Sequence, residues 1–354
     1  MERYDLVQEA EIVRRQISEK LHPVEEARHL VSHAILAQVL LSLSDIGFYE
    51  WMRLHPYLVP EQIKADLGLD SAVFDSLLSY IWGCGLVAQQ ADGTFVTTSK
   101  GEIFFNAYTR GVLNIYLGGY NPIFSQLTAL LQGDKKLHEV ARSTKHTARG
   151  TALATCAYTI PEVFNVLKKH GASCILDLGC GAGDFLIQFL RLDAGRRAHG
   201  VDMCAEALVV AEKTAASFGV QDRVRFHTCE VGRAALPLTP ADQQEIDAVT
   251  AMYMIHEIGR EGREAVVRTL RELGAQFKGK NLLLLEVEAV APGEPGSAPP
   301  PHFGRLDYRL IHELSSQGLP RSQAEWHSIF QECQFEILEG GVKTGGSYIY
   351  LVKM

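Results

Sequence analysis

Residues 175–186 read Ile175-Leu176-Asp177-Leu178-Gly179-Cys180-Gly181-Ala182-Gly183-Asp184-Phe185-Leu186, a short apolar run, three alternating glycines and the start of an amphipathic pattern. Apolar residues ahead of the glycines predict a buried strand, and the periodicity behind them predicts a helix. Glycine at 179, 181 and 183 permits a sharp turn and leaves no Cβ between the backbone and a ligand, while the first N–H groups of the helix face the same space. This is a nucleotide-type loop. Its G-x-G-x-G spacing differs from the G-x-G-x-x-G of dinucleotide sites, and it carries no lysine for a phosphate.

The segment Asp177-Leu178-Gly179-Cys180-Gly181-Ala182-Gly183 resembles the first motif of class I S-adenosylmethionine-dependent methyltransferases. The resemblance implies that the glycine turn makes room for the amino-acid end of the cofactor and that Asp177 collects its ammonium. The next strand, Ala198-His199-Gly200-Val201-Asp202, ends in an acid suited to the two ribose hydroxyls, a role that an acid also plays in dinucleotide folds. Met203 is then placed to pack on the adenine. A third run, Val224-Arg225-Phe226-His227-Thr228-Cys229-Glu230, ends in Glu230, which resembles the acceptor for the adenine amino group.

The fold class expected is α/β, a Rossmann-like sheet with an N-terminal helical winged-helix domain. The chain has 354 residues and 47% hydrophobic composition, enough for two domains, read here as 1–150 and 151–354. Lys+Arg 34 against Asp+Glu 42 gives a net charge of −8, which supplies no reason to seek nucleic acid or an anionic membrane. The seven cysteines are odd in number, with no C-x-x-C, and read as a reduced, cytoplasmic protein. Met1-Glu2-Arg3-Tyr4-Asp5 is too charged for a signal peptide, and no run approaches the roughly 18 apolar residues of a membrane span.

In the first domain, Leu30, Ala34, Ala37, Leu40 and Leu41 recur at helical spacing. A helix opened by Val59-Pro60 stops at Gly68, and a second runs from an Asp70 or Ser71 cap to Trp82. A hairpin then turns about Asp92-Gly93. Helix, turn, helix and wing suggest DNA binding, but Ser71–Trp82 contains no Lys or Arg, and a helix without cations does not hold a phosphate backbone. A similar module in small-molecule O-methyltransferases pairs two subunits and roofs the substrate pocket, so a homodimer is expected. Gly118-Gly119-Tyr120-Asn121-Pro122 reads as a break in a helical pattern, and 133–150 as a solvated basic connection into the helix that carries Tyr158.

The chemistry is expected past the strand Ile246–Tyr253, at Met254-Ile255-His256-Glu257-Ile258. An imidazole titrates near neutrality and suits a general base on a substrate hydroxyl. A second pair, His312-Glu313, follows the proline-rich stretch 291–301. Two histidines over one pocket also suit a divalent or iron-type metal. His256-Glu257 and His312-Glu313, with Leu319-Pro320-Arg321-Ser322-Gln323-Ala324-Glu325-Trp326, resemble the metal-dependent C-methyltransferases of α-keto acids. Leu36–Leu40, Gly47–Glu50 and Gly118-Gly119-Tyr120 resemble most closely the 2-ketoarginine methyltransferases of that group.

The resemblance implies that His256 and His312 hold a metal, which stabilises the enolate of a small α-keto acid while its β-carbon attacks the sulfonium methyl. Glu257, Tyr158 and a metal-bound hydroxide all stand as the base. Glu286 and Glu288 close the strand Leu282–Glu288 on one side of it, where a carboxylate would receive a guanidinium substrate tail. The other reading is an O-methyltransferase for a small hydroxylated or phenolic metabolite, with His256 as base and His312 structural.

Overall fold

A computed structural model describes residues 22–156, 159–289, 303–344 and 347–354 of the chain. It divides into two compact units, 1–117 and 118–354, so the division falls ahead of the expected boundary at 150. Residues 120, 142 and 317 explain why: Tyr120 donates to Gln317 Oε1 at 2.7 Å and Arg142 donates to the Tyr120 hydroxyl at 3.1 Å, which ties 118–156 into the second unit.

In the first unit the helix His22–Asp45 ends where Gly47 takes φ +82. Pro60–Leu67 and Ser71–Gly83 form the helical pair. Gly68 closes the first in the left-handed region, and the Asp70 side chain caps the second by accepting from Val73 N at 2.9 Å. The wing pairs β1 (Val87–Gln89) with β2 (Phe95–Thr97) antiparallel around Gly93 at φ +85. Leu40, Leu43, Phe48, Leu58, Ile63, Ile81 and Leu86 form its core. The outward side of the second helix shows Val73 and Trp82, both exposed. Among the described residues no single helix is long and apolar enough to cross a membrane. The expected break at Gly118-Gly119 is absent: the backbone stays helical through a π-turn, Asn114–Gly119, and continues as Tyr120–Phe124.

The second unit carries a seven-stranded sheet of order β5-β4-β3-β6-β7-β9-β8. Its strands are β3 (Cys174–Leu178), β4 (Arg197–Asp202), β5 (Val224–Thr228), β6 (Ala248–Met252), β7 (Asn281–Val287), β8 (Glu336–Thr344) and β9 (Ser347–Lys353). β3 through β7 run parallel, and β9 pairs antiparallel with both β7 and β8. The expected α/β class with an N-terminal helical unit is the fold observed.

Alternation along β7 shows how the sheet is buried on both faces. Leu282 and Leu284 join one cluster with Val249, Trp326 and Phe330, while Leu283 and Leu285 join another with Ile175, Phe189 and Ile349. Strands covered on both sides read as unbroken apolar runs, which is why 282–285 is four leucines. The chain runs outward from β3 through β4 to β5, then returns to place β6 on the other side of β3. Ligands of such sheets bind outside the carboxyl ends of the strands at this reversal.

Candidate active site

The loop after β3 and the turn after β6 abut at the reversal. A Cβ at Gly179 would stand 2.8 Å from Met254 Cγ, so glycine there lets the two segments close. Gly179, Gly181 and Gly183 all have positive φ, at 75°, 53° and 77°. Gly183 also has no room for a side chain, since a Cβ would lie 3.0 Å from Ala211 Cβ and 3.1 Å from the Phe226 ring. Gly181 has nothing within 4 Å of its missing Cβ, so its face of the loop is open.

The acids around this loop are held by the protein. Asp177 is buried and accepts from Thr250 Oγ1 at 2.7 Å. Its pKa is pushed up to about 7, chiefly by burial, with the Thr250 bond opposing and the Asp202 charge adding. Asp202 ends β4 and accepts Gly181 N and Cys204 N, each at 2.8 Å, so it braces the loop through one oxygen and the following turn through the other. Met203 is 66% exposed, an apolar side chain left beside the loop. Glu230 lies beyond the end of β5, which stops at Thr228, and pairs with Arg233 at 3.0 Å and Arg260 at 3.6 Å.

β6 leads through Tyr253, a non-glycine residue at φ +54, into the helical turn Ile255–Ile258. Backbone in this region is strained for a side-chain-bearing residue and persists where surroundings impose it; here Tyr253 N donates to Leu285 O at 2.8 Å. The turn buries His256 against the end of β7. Glu286 accepts from His256 N at 3.1 Å with Oε1 and meets His256 Nδ1 at 2.6 Å with Oε2. Because a carboxylate only accepts, Nδ1 carries a proton and Nε2 is the basic nitrogen. Burial favours the neutral ring, but the Glu286 charge and hydrogen bond outweigh it and hold the pKa above the ordinary histidine value.

His312 completes a cluster of rings. Its centroid lies 5.2 Å from that of His256, edge to face, and 4.0 Å from that of Tyr308. His312 Nδ1 donates to the Tyr308 carbonyl at 2.6 Å, which again leaves Nε2 as the basic nitrogen. Burial, and then the charge on His256, push its pKa down to about 3, so the ring is neutral at physiological pH. Glu257 Oε1 is 4.0 Å from His256 Nε2, receives Arg142 Nη2 at 3.3 Å and is also bound by Gln317 Nε2.

These placements alter several expectations. Glu286 is fully buried with both oxygens on His256, so it presents no open carboxylate to a substrate guanidinium. Glu288 accepts the Tyr348 hydroxyl at 2.6 Å. Tyr158 and the proline-rich stretch lie outside the described residues. His256, Glu257 and His312 do supply a two-imidazole, one-carboxylate donor set, but Arg142 and Gln317 hold the carboxylate. Among the described residues three such donors converge to within 4.8 Å elsewhere, at Cys174, His199 and Glu245. As arranged, the residues around His256 do not close on an ion.

Sequence reasoning missed Arg142 and Gln317, which converge on Glu257 from distant segments and are joined to each other through the Tyr120 hydroxyl. It also missed Gly318, whose Cβ would fall 1.5 Å from the His256 carbonyl oxygen.

A family model described as a methyltransferase domain matches residues 175–275. Methyltransferase ungE' of Aspergillus campestris (strain IBT 28561) is 27% identical over 326 residues, covering 88% of this chain and 91% of that protein. Among solved structures, the mitomycin 7-O-methyltransferase MmcR is 15% identical with a TM-score of 0.64, covering 97% of this chain and 99% of that one. Human N-acetylserotonin methyltransferase in complex with SAM is 15% identical with a TM-score of 0.68, covering 93% and 97%. At such identities the solved structures speak for the fold.

Proposed function

We propose that this chain, a class I S-adenosylmethionine-dependent methyltransferase by its matched domain and its methyltransferase relatives, methylates a hydroxyl of a small metabolite after His256 has taken the hydroxyl proton. The observation that carries the reading is the buried His256–Glu286 pair, 2.6 Å apart at the carboxyl edge of the sheet. His256 Nε2 accepts the proton, and Glu286 stabilises the imidazolium through Nδ1–H, the part played by the acid of a serine-hydrolase triad. The substrate oxygen then forms a bond to the methyl carbon as the carbon–sulfur bond breaks, leaving a neutral thioether. Positioning of donor and acceptor supplies much of the remaining rate.

The donor's methionine end is assigned to the turn of Gly179, Gly181 and Gly183 with Asp177 behind it, its ribose to Asp202, and its adenine to Met203 and Glu230. The names of the mitomycin 7-O-methyltransferase and the N-acetylserotonin methyltransferase support a hydroxylated small molecule as acceptor. The first unit, with Leu30, Val31 and Ile35 exposed on its long helix, is read as the module that pairs two copies.

A second reading has its own observation. His312, neutral and edge-on to His256, and Arg142, a cation beside Glu257, suit the carboxylate and keto oxygens of an α-keto acid whose β-carbon is methylated. In that case His256 takes the proton from carbon, and Arg142 offsets the anion that forms. Incubation with S-adenosylmethionine and a panel of phenols, other hydroxylated metabolites and α-keto acids, read by product mass, separates the two. The hydroxyl reading expects a product heavier by one CH2, with the new methyl group on oxygen. Methylation of keto acids alone overturns it in favour of the second reading, and no product from either class overturns both.

A further inference from the structure

At the other end of the sheet is a cluster that the methyl-transfer reading does not use. Cys174 is the first residue of β3, and His199 lies on β4, where its neighbour in register is Leu176. Glu245 ends the short helix Pro240–Glu245 that leads into β6. Cys174 and His199 are buried, Glu245 is partly so, and their ligating atoms all lie within 4.8 Å of one another. Cys174 is separated from Leu178, where the glycine loop begins, by four residue steps of strand, about 13 Å at a rise of about 3.3 Å.

The surroundings orient each donor. Arg197 Nη1 binds Glu245 Oε2 at 3.0 Å, which turns Oε1 to His199 Nε2 at 2.9 Å. On the far side of the imidazole, His199 Nδ1 lies 3.4 Å from His227 Nε2, and the two rings stack with centroids 5.7 Å apart and planes 10° from parallel. One imidazole nitrogen thus faces the carboxylate and the thiol while the other has an outer partner. Because a carboxylate only accepts, Nε2 now carries the ring proton; a cation at Nε2 needs that proton on Nδ1, where His227 Nε2 stands as its outer acceptor, the kind of partner that sets the tautomer of a metal-binding histidine. Asp242 Oδ1 stands 4.0 Å from the same Nε2 and is held by Arg225 at 2.6 Å.

We propose that Cys174, His199 and Glu245 form a binding site for a zinc-type divalent cation, distinct from the methyl-transfer centre. The chemistry of the set favours this class: a sulfur, an imidazole and a carboxylate are zinc's usual donors, whereas magnesium and calcium take oxygen sets. Bonds of about 2.0–2.3 Å bring three donors to closer mutual distances than 4.8 Å, so small side-chain rotations close the site. Binding converts the Cys174 thiol to the thiolate and releases its proton to solvent, while the His199 ring shifts its proton from Nε2 to Nδ1, facing His227. The ion replaces the His199–Glu245 hydrogen bond and ties β3, β4 and the Pro240–Glu245 helix together, with a water completing the coordination.

The test uses the full-length protein and Co2+ as a spectroscopic probe, followed by displacement with Zn2+. The expected result is one equivalent bound with a thiolate-to-cobalt charge-transfer band in the near ultraviolet, abolished by Cys174→Ser. Glu245→Gln is expected to weaken binding by roughly tenfold or more, and it keeps the test open if Cys174→Ser does not fold. His256→Asn is expected to leave the band unchanged. The proposal is overturned if no such band appears, if it persists at equal affinity in Cys174→Ser or Glu245→Gln, or if His256→Asn removes it. None of these outcomes bears on whether the chain methylates an oxygen or a carbon.

Discussion

Glu286→Gln is expected to lower the rate of methyl transfer by roughly 100-fold or more, the scale of a lost general base, while leaving S-adenosylmethionine binding close to that of the parent. The side chain keeps its volume, but the amide has one accepting oxygen where the carboxylate has two. His256 presents two donors to Glu286, N at 3.1 Å and Nδ1 at 2.6 Å. One of them must therefore face an NH2 group, and the ring is released from the tautomer that keeps Nε2 basic. The pH dependence follows with a definite sign. Burial lowers the His256 pKa and Glu286 more than offsets it, so the folded value stands above the ordinary one. The reactive form is the neutral ring, so the parent's rate rises with pH through that raised pKa and then levels. Without the carboxylate the limb moves to lower pH and the plateau falls. A Glu286→Gln enzyme with the parent's plateau and the parent's limb would remove the pair from the mechanism.

Gly318→Ala is expected to disable the enzyme although residue 318 carries no chemistry. The added Cβ would meet the His256 carbonyl oxygen at 1.5 Å, its carbonyl carbon at 2.6 Å and Arg260 N at 2.9 Å. All three are main-chain atoms, so no rotamer relieves the overlap, and the turn bearing His256 must move relative to Gln317. Overpacking of this kind costs about 1–3 kcal/mol, and a displacement on the order of 1 Å at a reacting group costs about 100-fold in rate. Gly219→Ala is the control. Gly219 has φ +67 but nothing within 4 Å of the added atom, so only left-handed backbone strain of about 1–2 kcal/mol is expected, with activity retained. Thermal unfolding and initial rates on the three proteins check both statements. Equal activity in Gly318→Ala and the parent would show that this contact does not set the position of His256.

The parts legible in the sequence are those fixed by local chemistry. The glycine loop reads correctly because positive φ at 179, 181 and 183 is a backbone requirement that glycine alone meets cheaply. The wing and the Asp70 cap read correctly for the same kind of reason, a turn residue and an N-cap each acting within a few positions. Strand parity puts Glu286 and Glu288 on one side of β7, but whether such a carboxylate meets a histidine depends on where the β6 turn lies, and that is set by packing. Arg142 sits in a polar basic stretch that reads as solvated, and only the fold brings it to Glu257 and Tyr120. The Gly118-Gly119 pair suggested a break because glycine is a poor helix former, yet the chain absorbs the pair in a π-turn where Gly118 admits the His146 ring, 2.6 Å from where a Cβ would stand. Turns of that type recur at functional positions.

In the proposed reaction a histidine backed by a carboxylate removes the acceptor's proton beside a bound sulfonium donor. Single-turnover methyl transfer by His256→Ala, with donor affinity measured by calorimetry on the same preparation, addresses it most directly. Donor binding near that of the parent is expected, with transfer slowed by roughly 100-fold or more. Transfer at the parent's rate by His256→Ala with donor bound would contradict it.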